Sequence, residues 1–133
     1  AALRQTGTEA LRSHPISQIS GGEVQRAFLA QLFAQDPKLL LLDEPSSHLD
    51  LAYQKQILEL ISAWLKREGR AVISVVHDLA VARRFGTRVM LLSNGRVAAD
   101  AAPEEALAPA MLTRVYGMDV NEWMQELYGA WGR

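Results

Sequence analysis

Asp43 and Glu44 stand directly after four consecutive leucines, Leu39 to Leu42, and Pro45 ends the run. Adjacent carboxylates at the carboxyl end of a buried parallel strand lie where open α/β sheets bind ligands. One acid of such a pair can hold Mg²⁺ through water while the other orients a nucleophilic water. The plain alternative is two solvated acids at a strand end. Ser20-Gly21-Gly22-Glu23 forms a second cluster. At a helix start, two glycines let an anion approach bare backbone N–H groups while the helix dipole favours its charge. An ordinary serine N-cap fits the same residues. His77, followed by Asp78, ends a second apolar run. Level with Asp43 and Glu44 on a neighbouring strand it could reach a terminal phosphate; otherwise it is a satisfied structural histidine. Asp50, after Ser47-His48-Leu49, equally fits the N-cap of the next helix.

These residues need a scaffold, and the hydrophobic pattern supplies one. Val24, Ala27, Phe28 and Leu32 recur at the spacing of one buried helix face, and Asp36-Pro37 stops that helix. The Leu39–Leu42 run suits a strand buried on both faces, as in a parallel sheet. A helix is expected over about Leu51 to Glu68, with Ile57, Ile61, Trp64 and Leu65 on one face and Gly69 as its stop. Ala71 to Val76, rich in β-branched residues, reads as another inner strand. A short helix around Leu79 to Phe85 precedes a hairpin, Arg88–Ser93 and Arg96–Ala99, turned by Asn94-Gly95 in type I′ geometry. Pro103 opens a further helix with Glu104 and Glu105 in its first turn. Helical pieces over Pro109–Tyr116 and Asn121–Tyr128 follow. Residues 1 to 14 are weakly helical and interrupted by Gly7. Strands alternating with helices imply an α/β layer architecture.

Composition narrows the function classes. The 133 residues carry 14 Lys and Arg against 15 Asp and Glu, a formal charge of −1. That balance argues against a nucleic-acid binder working through bulk positive charge. No cysteine is present, so disulfides and thiolate metal sites are excluded. No apolar run approaches the roughly 20 residues that span a bilayer, and no apolar core follows Arg4 as in a signal peptide. The expectation is a soluble chain.

In order, the motifs resemble those of ATP-binding cassette (ABC) ATPases. Ile19-Ser20-Gly21-Gly22-Glu23-Val24-Gln25-Arg26 is similar to the family's signature motif, with Glu where Gln is commonest. Leu39 to Pro45 resembles the Walker B strand with its catalytic glutamate, Ser47-His48-Leu49-Asp50 the D-loop, and His77 the switch histidine. The resemblance implies ATP and Mg²⁺ as cofactors, with Asp43 in the metal shell and Glu44 polarising the attacking water. It implies that His77 contacts the γ-phosphate and that Asp50 couples the two sites of a dimer. Ser20, Gly21 and Gly22 would close over ATP on a second ATPase subunit. Val76-His77-Asp78-Leu79-Ala80, the Ser93–Val97 turn, Pro103 to Leu107 and Arg114-Val115-Tyr116-Gly117 look like the ATPases of metal-chelate importers, which move iron–siderophore, haem or cobalamin. Such an ATPase lies in the cytoplasm against the inner face of the membrane, with transmembrane permease subunits and, indirectly, a periplasmic or surface substrate-binding protein as partners. Nucleic acid is not among the expected partners.

A Walker A loop, Gly-x-x-x-x-Gly-Lys followed by Ser or Thr, is not in the sequence; Lys38, Lys55 and Lys66 follow Pro, Gln and Leu. The expectation is therefore the C-terminal part of one nucleotide-binding domain, a partial P-loop NTPase (RecA-like) α/β core without its Walker A strand. Residues 1–36 would end the helical subdomain, 37–100 carry the Walker B to H-loop core, and 101–133 form C-terminal helices. Such a piece is expected to be inactive alone. It is also expected to close the gap left by the missing strand or to borrow a strand from another copy. Two other readings stand beside this one: an ABC-type ATPase of DNA repair or chromosome maintenance, and a non-catalytic module lending only its signature face.

Overall fold

The computed structural model describes residues 1–47 and 49–131. His48, quoted above in the Ser47–Asp50 turn, and Gly132 and Arg133 of the tail lie outside them. The chain forms two compact units, Ala1–His77 and Asp78–Arg133, and each is described by itself.

In the first unit, helix α1 (Ala2–Gln5) and two 3₁₀ turns, Glu9–Leu11 and Ile16–Gln18, lead to helix α2 (Gly21–Ala34). Strand β1 (Leu39–Asp43), helix α3 (Leu51–Leu65) and strand β2 (Ala71–Val75) follow. The two strands pair in parallel, Leu39 opposite Ala71 and Asp43 opposite Val75. Leu29, Phe33, Leu40, Ile57, Ile61 and Trp64 make the core. Each such side chain contributes about 1.5–3 kcal/mol when fully buried.

The buried stripe of α2 is displaced from the one expected. Leu29, Ala30 and Phe33 are buried, whereas Phe28 is half exposed and Leu32 packs only at the margin. The helix carries two apolar stripes one residue apart, and the Phe33 ring, stacked on Trp64 at 5.9 Å, turns the second one inward. Arg70 also packs on Trp64. Its guanidinium lies 4.4 Å from the Trp64 ring and donates to Asp36, which also receives Arg67.

A larger correction concerns the strands, expected to be covered on both faces. Leu40 is 2% exposed, yet Leu41 beside it is 70% exposed. Helices α2 and α3 cover one face only. Leu39, Leu41, Ile73 and Val75, which share the other face by register, remain open. β2 is an edge rather than an inner strand, because β1–β2 is a two-stranded sheet. The four-leucine run has enough apolar surface for two layers, and the described chain supplies one.

The second unit runs through helix α4 (Leu79–Phe85), strands β3 (Val89–Ser93) and β4 (Arg96–Ala101), and helices α5 (Pro103–Ala106), α6 (Pro109–Tyr116) and α7 (Val120–Gly129). β3 and β4 pair as the expected hairpin, with Asn94 at φ 49° and Gly95 at φ 71° as the type I′ turn requires. A bulge lies between Leu91 and Leu92. Arg88 donates to both carboxylate oxygens of Asp100, at 2.7 and 2.9 Å, across the pair's open end. Leu91, Leu107, Leu112 and Val120 form this unit's core. Trp123, Leu127 and Trp131 are exposed. β3 and β4 form a two-stranded sheet of their own.

Candidate functional site

β1 delivers Asp43 and Glu44 to its carboxyl end, and the parallel neighbour β2 delivers His77 just beyond its own. His77 Nε2 lies 2.8 Å from Glu44 Oε1. An ionised carboxylate only accepts, so in that state Nε2 carries the hydrogen. The other carboxylate oxygen, Oε2, receives the Ser47 hydroxyl at 2.7 Å. A hydroxyl from its own turn and an imidazole from beyond β2 thus converge on one carboxylate. Asp43 is exposed at the end of β1 and shares a face with Val75.

The turn that aims Glu44 is unusual for its residue type. Glu44 sits at φ 45°, in the left-handed region, where an L-residue other than glycine costs roughly 1–2 kcal/mol. Backbone bonds hold it there: the Glu44 N–H donates to the Val75 carbonyl at 3.0 Å, and the Ser47 N–H to the Glu44 carbonyl at 3.1 Å. Pro45 and Ser46 behind it are buried.

Ser20 begins α2 as expected, with a capping box. The Glu23 N–H donates to Ser20 Oγ at 3.4 Å, while the Ser20 N–H and hydroxyl both donate to Glu23 Oε2 at 2.8 Å. The Ser20 backbone N–H first, then its hydroxyl, hold the Glu23 carboxyl below the usual glutamate range. The glycines differ. Gly21 faces open space, whereas a β-carbon on Gly22 would stand 2.6 Å from the Tyr53 ring. Gly21 alone leaves backbone accessible to a ligand; Gly22 admits an aromatic neighbour from α3. Asp50 caps α3 by accepting the Tyr53 N–H at 2.9 Å, the plain reading weighed above.

No individual role was expected of Ser47, Gln25 or Tyr53. The Gln25 amide donates to the Pro45 carbonyl at 3.0 Å, tying α2 to the acidic turn. Arg26 lies with its guanidinium carbon 5.4 Å from the centre of the Tyr53 ring. Long-range pairs such as these leave no periodic trace; for Tyr53 the one available hint was a glycine at a helix start that required a large neighbour.

Residues 1–47 match the family model described as ABC transporter. The hemin import ATP-binding protein HmuV of Nocardia farcinica is 44% identical over 130 residues, which are 98% of this chain and 45% of that protein. The achromobactin transport ATP-binding protein CbrD of Dickeya dadantii is 40% identical over 118 residues, 89% of this chain and 44% of that protein. Among solved structures, one described as a metal-chelate type ABC transporter in an inward-facing conformation superposes with a TM-score of 0.83 at 26% identity, covering 89% of this chain and 47% of that one. A dimeric, ADP- and Pi-bound ATP-binding cassette, MJ0796, matches with a TM-score of 0.67 at 32% identity, covering 77% and 44%. The chain is thus similar to ABC transporter ATP-binding proteins, and it has the α/β fold of the ATPase domains on which it superposes, with parallel strands flanked by helices. It spans under half the length of these relatives.

The donor set fits the Mg²⁺ that such proteins use. Mg²⁺ takes one or two carboxylates together with substrate phosphates rather than an all-protein cage. Asp43 offers one exposed carboxylate, and no group of three or more metal-ligating side chains occurs among the described residues.

Proposed function

We propose that this chain is part of the ATP-binding, ATP-hydrolysing subunit of an importer for an iron–siderophore, haem or cobalamin-type chelate. The observation that carries the hydrolytic reading is the Glu44–His77 contact at the carboxyl end of a parallel strand pair, with Asp43 beside it. The relatives named for hemin and achromobactin import support the chelate class.

Glu44 accepts a proton from the attacking water as general base. His77 orients that carboxylate through Nε2, and its exposed ring can swing to the γ-phosphate. Asp43 would hold Mg²⁺, which when bound would neutralise charge on the phosphate oxygens. Ser20, Gly21 and Gly22 meet the nucleotide of a second ATPase subunit, with Gly21 as the open backbone position and Glu23 holding the serine until the phosphates replace it. Asp50 sits at that same dimer seam. The subunit works at the inner face of the cell membrane with permease subunits, which a substrate-binding protein feeds. The 133-residue chain alone, without a phosphate-cradling lysine loop, releases no phosphate from Mg-ATP.

The test is Glu44→Gln in the intact subunit assembled with its permease. Phosphate release is expected to fall by about 10²–10⁴-fold, the usual worth of a positioned general base, while Mg-ATP binding is retained. A rate within twofold of wild type, by the same assay, would falsify the assignment.

A further inference from the structure

Gln25 supplies a side-chain hydrogen bond from α2 to the acidic turn. Its amide donates to the Pro45 carbonyl across 20 residues of sequence. Pro45 follows Glu44 directly, and its position fixes the exit of the left-handed backbone that aims the carboxylate. Two backbone bonds also hold that turn, from the Glu44 N–H to the Val75 carbonyl and from the Ser47 N–H to the Glu44 carbonyl. Both belong to the turn or to the neighbouring strand. Gln25 reaches it from the helix whose first turn carries Ser20, Gly21 and Gly22.

We infer that Gln25 is a positioning residue for Glu44: its amide pins the Glu44–Ser47 turn to α2, so that the carboxylate's aim depends on where the signature helix stands. This rests on reading Glu44 as the general base. A left-handed non-glycine turn is held only while its surroundings over-determine it. Losing one such restraint therefore loosens the turn before it loosens the core. The link also runs both ways. A movement of α2 upon a partner's nucleotide pulls on Pro45, and a movement of the acidic turn is felt at Gly21 and Gly22.

The test compares Gln25→Met, which keeps size and loses the donor, with Gln25→Lys, which keeps a donor. On the 133-residue chain, amide hydrogen exchange at Glu44 and Ser47 is expected to quicken about tenfold in Gln25→Met, the worth of one ordinary hydrogen bond. Exchange at the core amides of Leu29 and Ile57 should hold, and Gln25→Lys should restore the slow rate. In the intact subunit, Gln25→Met should lower kcat with KM for ATP unchanged. Exchange that is unaltered, or that rises equally at Leu29 and Ile57, overturns the inference, as does failure of both variants to fold. The exchange measurement needs no ATP. An inert Glu44→Gln phenotype would therefore remove the base assignment and leave the mechanical link to be judged separately.

Discussion

Tyr53 lies against Gly22 so closely that any β-carbon at that position would sit 2.6 Å from the ring. The signature glycines therefore do different things: one keeps backbone open, the other seats α3 on α2.

Substitution should separate them. Gly22→Ala is expected to lose about 1–3 kcal/mol, the cost of forcing a side chain into a filled site. Gly21→Ala faces open space without a left-handed φ and should leave stability within about 0.5 kcal/mol or raise it slightly. Urea denaturation of the two variants gives the comparison. Equal losses would mean that the Tyr53 contact is not what Gly22 is for.

The strand face offers a second contrast between neighbours of identical type. Leu40→Ala should cost about 2–5 kcal/mol because it leaves a cavity among Phe33, Ile57 and Trp64. Leu41→Ala, on the exposed face, should change stability by no more than about 0.5 kcal/mol. Thermal melts read both, and a large loss at Leu41 would place a second covering layer over the sheet.

Acid should loosen the start of α2. The Ser20 donors hold the Glu23 carboxyl below its ordinary value of 4.5. The bound form is the carboxylate, so its contribution is fully present above that value and is lost as pH falls through the lower folded value. Glu23→Gln should flatten this dependence, and Ser20→Ala should remove about 1 kcal/mol of capping at neutral pH. Melting curves taken through the acid range decide it; an unchanged slope in Glu23→Gln would assign the acid sensitivity elsewhere.

Local rules made much of the fold legible. Helix α4 spans the residues expected from the pattern, Pro109 and Tyr116 bound α6, and Asn94-Gly95 turns the hairpin. Each depends on residues within a few positions of one another. Which stripe of α2 turns inward depends instead on Trp64, a partner far along the chain, and hydrophobic spacing cannot register it. The strands failed differently: an apolar run records how much cover a strand can accept, and not how much it receives. At the site, Glu44 and His77 were identifiable by type and by their places at strand ends. The hydrogen bonds from Ser47 and Gln25 were not, because they depend on the left-handed turn at Glu44, which residue type does not signal.

The uncovered flank of the β1–β2 sheet has a consequence for handling. Leu39, Leu41, Ile73 and Val75 present grease beside ladder groups that have no strand on them among the described residues. A solution of this polypeptide should tolerate dilution far better than concentration, and detergent or a matching polypeptide should rescue it more effectively than salt.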